Sequence, residues 1–313
     1  MRIINMRIIN MMGQQMAATI AKVAPDAEII NIGAQDAPPA DLVADVLCAA
    51  WPGHALYSQL DSTGIRWMHL PGTGIDGWDP ELLRGRTVTC SRGVSAIPIA
   101  EFVLASMLAV EKNFPQTWLS APPEHWNLAS LGELAGQTVG IVGIGGIGTA
   151  VAQRAQAFDM RVRALRRRSG HYLPPGIELA NDLPDLLATA DHLVLAAPST
   201  AATEKLIDAK ALALVKPGVH IVNVARGTLV DQDALRVALD DGRVRCASLD
   251  TVYPEPLPVG HWLYSHPQVR LSAHVSWASP HAFTRIREAF ANNLRHFMAD
   301  EPLDGVIEVD EGY

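Results

Sequence analysis

The chain has 313 residues, 49% hydrophobic and 19% charged, which excludes a disordered protein and leaves room for two ordinary domains. Its net charge of −8 argues against nucleic acid or an anionic membrane as a main partner, since both attract basic surfaces. Cys48, Cys90 and Cys246 are too few and too far apart for a disulfide framework or a zinc site, so no metal is expected and a reducing, cytoplasmic compartment fits.

The opening Met1–Asn5 repeats as Met6–Asn10, and one copy suffices for a first strand. Asn5 and Asn10 interrupt its apolar run and no cleavage site follows, so no signal peptide is expected. Apolar runs at 28–32, 42–47 and 66–70 read as buried parallel strands. The pattern turns helical from Ile99 to Lys112, with Pro98 as a start signal. The apolar stretch from Ser95 to Val110 is broken by Pro98 and Glu101 and is too short to span a bilayer. Residues 113–131, rich in Pro and Trp, read as an arm, with Trp118 and Trp126 as apolar anchors. From Gln137 a regular βα rhythm predicts strands at 138–143, 161–166, 192–197, 220–225, 245–250 and 269–274, then a helix at 280–298. Alternating β and α elements imply parallel sheets wrapped by helices.

The first of these strands runs into Gly143-Ile144-Gly145-Gly146-Ile147-Gly148 and an Ala-rich helix. Gly143 suits a tight turn, Gly145 a close approach of backbone N–H groups to a pyrophosphate, and Gly148 close packing of helix on strand. Arg166 stands 23 residues beyond Gly143, where an acidic residue would bind the ribose 2′-hydroxyl of NAD(H). Arg166 and Arg167 instead suit the 2′-phosphate, so NADP(H) is the preferred cofactor, with Arg168 a solvated neighbour; a merely solvated basic turn is the alternative.

Ligands of an open parallel sheet sit beyond the carboxyl ends of its strands. Those ends carry Pro198, then Ala225 and Arg226, then Asp250 with Glu255 five residues on, then His274. A guanidinium that binds and polarises a 2-oxo acid, an imidazole that protonates the oxygen, and a carboxylate that favours the protonated imidazole form one coherent set. Each has a plainer reading: Arg226 as a turn residue, Glu255 as a loop acid, His274 as one of eleven histidines. His261, His266 and His281 are read as structural.

The segments GIVGIGGIG (140–148), VNVARGTLVDQDAL (222–235), ASLDTVYPEPLP (247–258) and SAHVSWAS (272–279), with PGTGID (71–76) and CSRGVSAIPIAEF (90–102), resemble the D-isomer-specific 2-hydroxyacid dehydrogenase family over nearly the whole chain. The resemblance implies two doubly wound α/β domains: a Rossmann-type dinucleotide domain, 99–281, inserted in a flavodoxin-like substrate domain, 1–98 and 282–313. It implies Arg226, Glu255 and His274 as the catalytic set. It also implies Asp250 on the nicotinamide carboxamide, and the backbone N–H groups of Thr73 and Gly74 on the substrate carboxylate. A homodimer joined through the dinucleotide domains, with the 113–131 arm in the contact, and a cleft that closes on substrate are implied too. Three features depart from the family: Arg166 for an acid, Ala273 for proline, and the bulky Trp277, which would narrow the substrate pocket. No Gln-x-x-x-His pairing of the formate-oxidising branch precedes His274, and no regulatory domain is expected after the last helix. The leading expectation is an NADPH-dependent reductase of a small 2-oxo acid such as glyoxylate or hydroxypyruvate. The alternative is a dinucleotide-sensing, corepressor-like interaction protein on the same scaffold.

Overall fold

A strand that is apolar on both faces must be covered on both sides, and the computed structural model, which describes residues 6–127, 129–167 and 173–312, covers its strands in that way. The strands are β1 (Arg7–Asn10), β2 (Glu28–Asn31), β3 (Val46–Cys48), β4 (Trp67–Leu70), β5 (Thr87–Cys90), β6 (Thr138–Val142), β7 (Arg161–Leu165), β8 (Ile177–Leu179), β9 (His192–Leu195), β10 (Val219–Asn223), β11 (Val244–Leu249) and β12 (Val269–Leu271). The helices are α1 (Gln14–Val23), α2 (Pro80–Leu83), α3 (Ala96–Glu111), α4 (Gly146–Ala157), α5 (Leu183–Leu187), α6 (Ala209–Leu212), α7 (Gln232–Asp240) and α8 (Ala282–Ala299). The chain divides into two compact units: residues up to Val94 together with those from Ser279 on, and Ser95–Ala278 between them.

The first unit holds a parallel sheet of order β2-β1-β3-β4-β5, the doubly wound order of flavodoxin-like folds. One side of it carries α1 and α8, where Ile8, Met16, Ile20, Trp67, Phe290 and Leu294 form one buried cluster. The Trp67 and Phe290 rings stack there with centroids 5.1 Å apart. The first copy of the MRIIN repeat lies outside the described residues; the second supplies β1.

The second unit is a seven-stranded parallel sheet of order β12-β11-β10-β9-β6-β7-β8. Its order reverses between β6 and β9, and the glycine turn leaves β6 at that point. Ala150, Ala152 and Ala155 of α4 are buried, small residues that let the helix lie close to α3 and β7. On α7, Asp231 caps the first turn by accepting from the N–H groups of Asp233 and Ala234, and Leu235, Ala238 and Leu239 face the core.

Several elements differ from expectation: β12 ends at Leu271, short of the strand read at 269–274, and α3 starts at Ala96, ahead of Pro98. The strand read at 42–47 begins only at Val46. The short β5 and β8 were not foreseen: β5 alternates threonine with apolar residues, and β8 is an edge strand with Glu178 and Leu179 exposed. Between Asn113 and Leu131 no described residue is in a helix or strand; Trp118 and Trp126 there are exposed rather than anchored.

Candidate active site

The glycine turn separates glycines the fold needs from one it does not. A Cβ on Gly148 would lie 2.1 Å from the Gly143 carbonyl oxygen. Gly143 has φ +96°, and a Cβ there would lie 2.8 Å from the Ala196 oxygen. Gly145 has an ordinary φ of −84° as the N-cap of α4, with no side-chain cap, and a Cβ there would meet nothing within 4 Å. A residue whose side chain would fill only empty space above an uncapped helix N-terminus is what a dinucleotide pyrophosphate requires. Gly146 is exposed and Ile147 half-buried beside it. Arg166 and Arg167 follow β7 directly, half-buried and exposed; Arg168 lies outside the described residues. Pro198 is exposed beyond β9, its carbonyl accepting from Thr203 Oγ1 at 2.7 Å.

The rim of β10, β11 and β12 is cross-linked through backbone. Asn223 closes β10, its carbonyl taking the Asp250 N–H at 2.9 Å, and the Asp250 carbonyl takes the His274 N–H at 2.8 Å. The Asn223 side chain folds back on its own strand end, accepting from the Ala225 N–H and donating to the Arg226 carbonyl. Gly227 has no room for a side chain, since a Cβ would lie 1.9 Å from the Val252 carbonyl carbon. Arg226 is thereby fixed beside the segment that follows Asp250; its Nη1 donates to the Ala225 carbonyl at 2.7 Å.

Glu255 spends its two oxygens on different partners. Oε1 accepts from the Val252 N–H at 3.0 Å, and Oε2 lies 2.9 Å from His274 Nδ1. Gln232, the first residue of α7, grips the same loop by donating to the Tyr253 carbonyl and accepting from the Tyr253 N–H. With Nδ1 taken by a carboxylate, Nε2 is the nitrogen through which His274 can hand over a proton. His274 sits in the left-handed region at φ +53°. Asp250 is 1% exposed; burial alone would push its carboxyl up, but hydrogen bonds from Ser272, Ser276 and Val275 outweigh that and hold it below the usual range. Trp277 is half-buried against the core of this unit, its Nε1 donating to the His274 carbonyl at 3.0 Å.

One unit therefore carries the glycine turn, Arg166, Arg167, Pro198, Ala225, Arg226, Asp250, Glu255, His274 and Trp277; Thr73 and Gly74 belong to the other. There they form the turn after β4, next to Gly72, whose Cβ position is 3.6 Å from the ring of the largely exposed Trp51. Ser91 braces that turn, its N–H reaching the Gly72 carbonyl at 3.0 Å and its hydroxyl lying 3.1 Å from His69 Nε2. Sequence reading did not single out Gln232, Ser272 or Ser276, because the hydrogen bonds that tie them to the site join segments far apart in the sequence. His261 caps a short turn by accepting from the Leu263 N–H, and His266 Nε2 lies 3.3 Å from Asp240 Oδ1.

Residues 104–276 match the family described as D-isomer specific 2-hydroxyacid dehydrogenase, NAD binding domain. The chain is 37% identical over 251 residues to the D-3-phosphoglycerate dehydrogenase of Mycobacterium tuberculosis, covering 77% of this chain and 46% of that one. It thus spans about half the length of such curated relatives. It is 34% identical over 220 residues to the glyoxylate reductase of Thermofilum pendens, covering 67% of this chain and 65% of that one. Its fold is similar to that of a D-isomer specific 2-hydroxyacid dehydrogenase from Xanthobacter autotrophicus, crystallised with NADPH and MES, with TM-score 0.86, 24% identity, and 99% and 100% of the two chains covered.

Proposed function

This chain belongs to the D-isomer specific 2-hydroxyacid dehydrogenase family, and from that premise we propose that it reduces a small 2-oxo acid, such as glyoxylate or hydroxypyruvate, with NADPH. The observation that carries the activity is the Glu255–His274 pair, 2.9 Å apart on the strand-end rim that also holds Arg226. The nicotinamide, when bound, supplies the hydride. Gly143, Gly145, Gly146, Ile147 and Gly148 would hold the pyrophosphate, with Pro198 and Ala225 lining the site. Arg226 binds the substrate and polarises its carbonyl. His274 Nε2 gives its proton to the carbonyl oxygen, while Glu255 accepts from Nδ1–H and holds the ring in that orientation. The backbone N–H groups of Thr73 and Gly74 take the substrate carboxylate. Trp277 borders the reacting end, a reading supported by its bond to the His274 carbonyl, and it favours small side chains. Two features support a homodimer joined through the dinucleotide unit: Trp118 and Trp126 leave much apolar surface on the arm, 69% and 73% exposed. Three free, buried cysteines suit the cytoplasm. No helix among the described residues is long and apolar enough to cross a membrane.

The cofactor preference rests on Arg166 and Arg167 at the end of β7, where guanidinium groups attract a 2′-phosphate. Two charged hydrogen bonds, partly screened at an open turn, favour NADPH by about 10²-fold. The experiment is a spectrophotometric screen of 2-oxo acids, 3-phosphohydroxypyruvate among them, with each cofactor, for the wild type and for Arg166→Asp/Arg167→Ala. We expect glyoxylate or hydroxypyruvate to lead, with NADPH preferred and the double substitution removing that preference. A wild type that favours NADH sinks the cofactor assignment, and the best rate on the phosphorylated acid sinks the substrate assignment.

A further inference from the structure

Glu255 stands on a loop that leaves the core at the buried Thr251 and re-enters it at the buried Leu257. Between them Tyr253, Pro254, Glu255 and Pro256 are exposed, and the two prolines have no N–H to give to a neighbouring strand. Neither burial nor a sheet ladder sets the course of this stretch. Its course nevertheless decides the geometry of the rim, because it brings Glu255 Oε2 to 2.9 Å from His274 Nδ1. A side chain from another element takes hold of it. Gln232 Nε2 donates to the Tyr253 carbonyl at 2.6 Å, and Gln232 Oε1 accepts from the Tyr253 N–H at 3.1 Å. We propose that Gln232 is a positioning residue: its amide takes the place of a strand partner, fixes Tyr253, and through it holds the Glu255 carboxylate against His274.

Both halves of the amide are used, and this makes the contact directional. A donor or an acceptor alone would pin one atom and leave the main chain free to turn about it; the pair fixes Tyr253 at two atoms. Gln232 is itself firmly placed. It is the first residue of α7, which Asp231 caps by accepting from the Asp233 and Ala234 N–H groups, and whose Leu235, Ala238 and Leu239 are buried. This helix follows closely on the turn that carries Arg226, where a Cβ on Gly227 would lie 1.9 Å from the Val252 carbonyl carbon. The segment bearing the guanidinium and the loop bearing the carboxylate thus meet twice, at Gly227 with Val252 and at Gln232 with Tyr253. Gln232 is not one of the groups assigned to substrate or cofactor, so its route to the reaction runs through Glu255.

The inference rests on the proposed reductase reading, and the test separates the two. For wild type, Gln232→Ala, Gln232→Met, Glu255→Ala and the pair Gln232→Ala/Glu255→Ala, kcat would be measured on the best 2-oxo acid, and NADPH Kd by fluorescence titration without substrate. Alanine and methionine both favour helix, so α7 should persist in each Gln232 variant. We expect kcat to fall about three- to tenfold in Gln232→Ala, while Kd for NADPH stays within about twofold. Gln232→Met, which keeps the length of the side chain and loses its hydrogen bonds, should show the same split. In the Glu255→Ala background there is no carboxylate to hold, and Gln232→Ala should there cost less than about twofold. A loss that multiplies in full in that background would mean that Gln232 acts independently of Glu255, and would overturn the inference. Unchanged kcat in either Gln232 variant, or kcat and cofactor affinity falling together, would overturn it as well. A wild type inactive on every 2-oxo acid overturns the reductase reading itself, and this inference with it.

Discussion

An imidazole is a useful acid only when its two nitrogens have different jobs, and here Glu255 draws that distinction by occupying Nδ1 of His274. His274→Ala should therefore lose roughly 10²–10⁴-fold in kcat/KM for reduction while still binding NADPH. Glu255→Gln should be milder, a several-fold loss of reductive rate, because the amide oxygen can still accept from Nδ1–H but without the charge that strengthens the bond. Steady-state rates check both, and an unaltered rate for Glu255→Gln would reduce that residue to a loop acid. Arg226, Glu255 and His274 were legible in the sequence because each closes or follows an apolar strand, so topology alone points them at one rim. The hydrogen bonds of Asp250 and the grip of Gln232 on Tyr253 were not legible. They join loops with no period, and their geometry exists only once neighbouring strands are in register.

At the scale of an element, the strand–turn–helix at 138–157 makes the sharpest separable prediction. Gly148→Ala would drive a methyl group to 2.1 Å from a backbone oxygen, so it should destabilise the unit by several kcal/mol or prevent folding. Gly145→Ala meets no protein atom within 4 Å, so its thermal midpoint should stay near wild type while its affinity for NADPH falls. Calorimetry and fluorescence titration of the two variants read the difference; a marked drop in stability for Gly145→Ala would mean its glycine serves the fold. Sequence patterning found the long buried strands well, because apolar residues on both faces leave an unbroken run. It missed β5 and β8, where alternation with threonine or an exposed edge mimics a loop, and it started β3 early because buried Leu42 and Ala44 of the preceding loop extend the apolar run.

Across the whole molecule, each unit buries neutral histidine. In the first, burial lowers His69 to about 4, where its ring nitrogens lie against the hydroxyls of Thr89 and Ser91 and its ring packs edge-on against Trp67 and Phe290. In the second, burial lowers both His192 and His220, whose Nδ1 atoms face each other at 3.0 Å; Glu111 opposes the shift at His192 without cancelling it. An unfolded histidine titrates near 6.5, so below that pH the unfolded chain takes up protons that the folded chain refuses. Stability is full above about 6.5 and drains away as pH falls toward about 4, His69 alone accounting for roughly 3 kcal/mol over that span. Denaturant midpoints at pH 7.5 and 5.0 should differ accordingly, and equal midpoints would show that these histidines take up protons without loss of the fold. The order of the chain has a separate consequence for synthesis. The unit from Ser95 to Ala278 is continuous and is complete before α8 has been made, whereas the β1–β5 sheet lacks Ile286, Phe290 and Leu294 until then. A nascent chain would thus carry Trp67 without its Phe290 partner throughout translation of the inserted unit, an interval in which exposed apolar surface invites aggregation or chaperone binding.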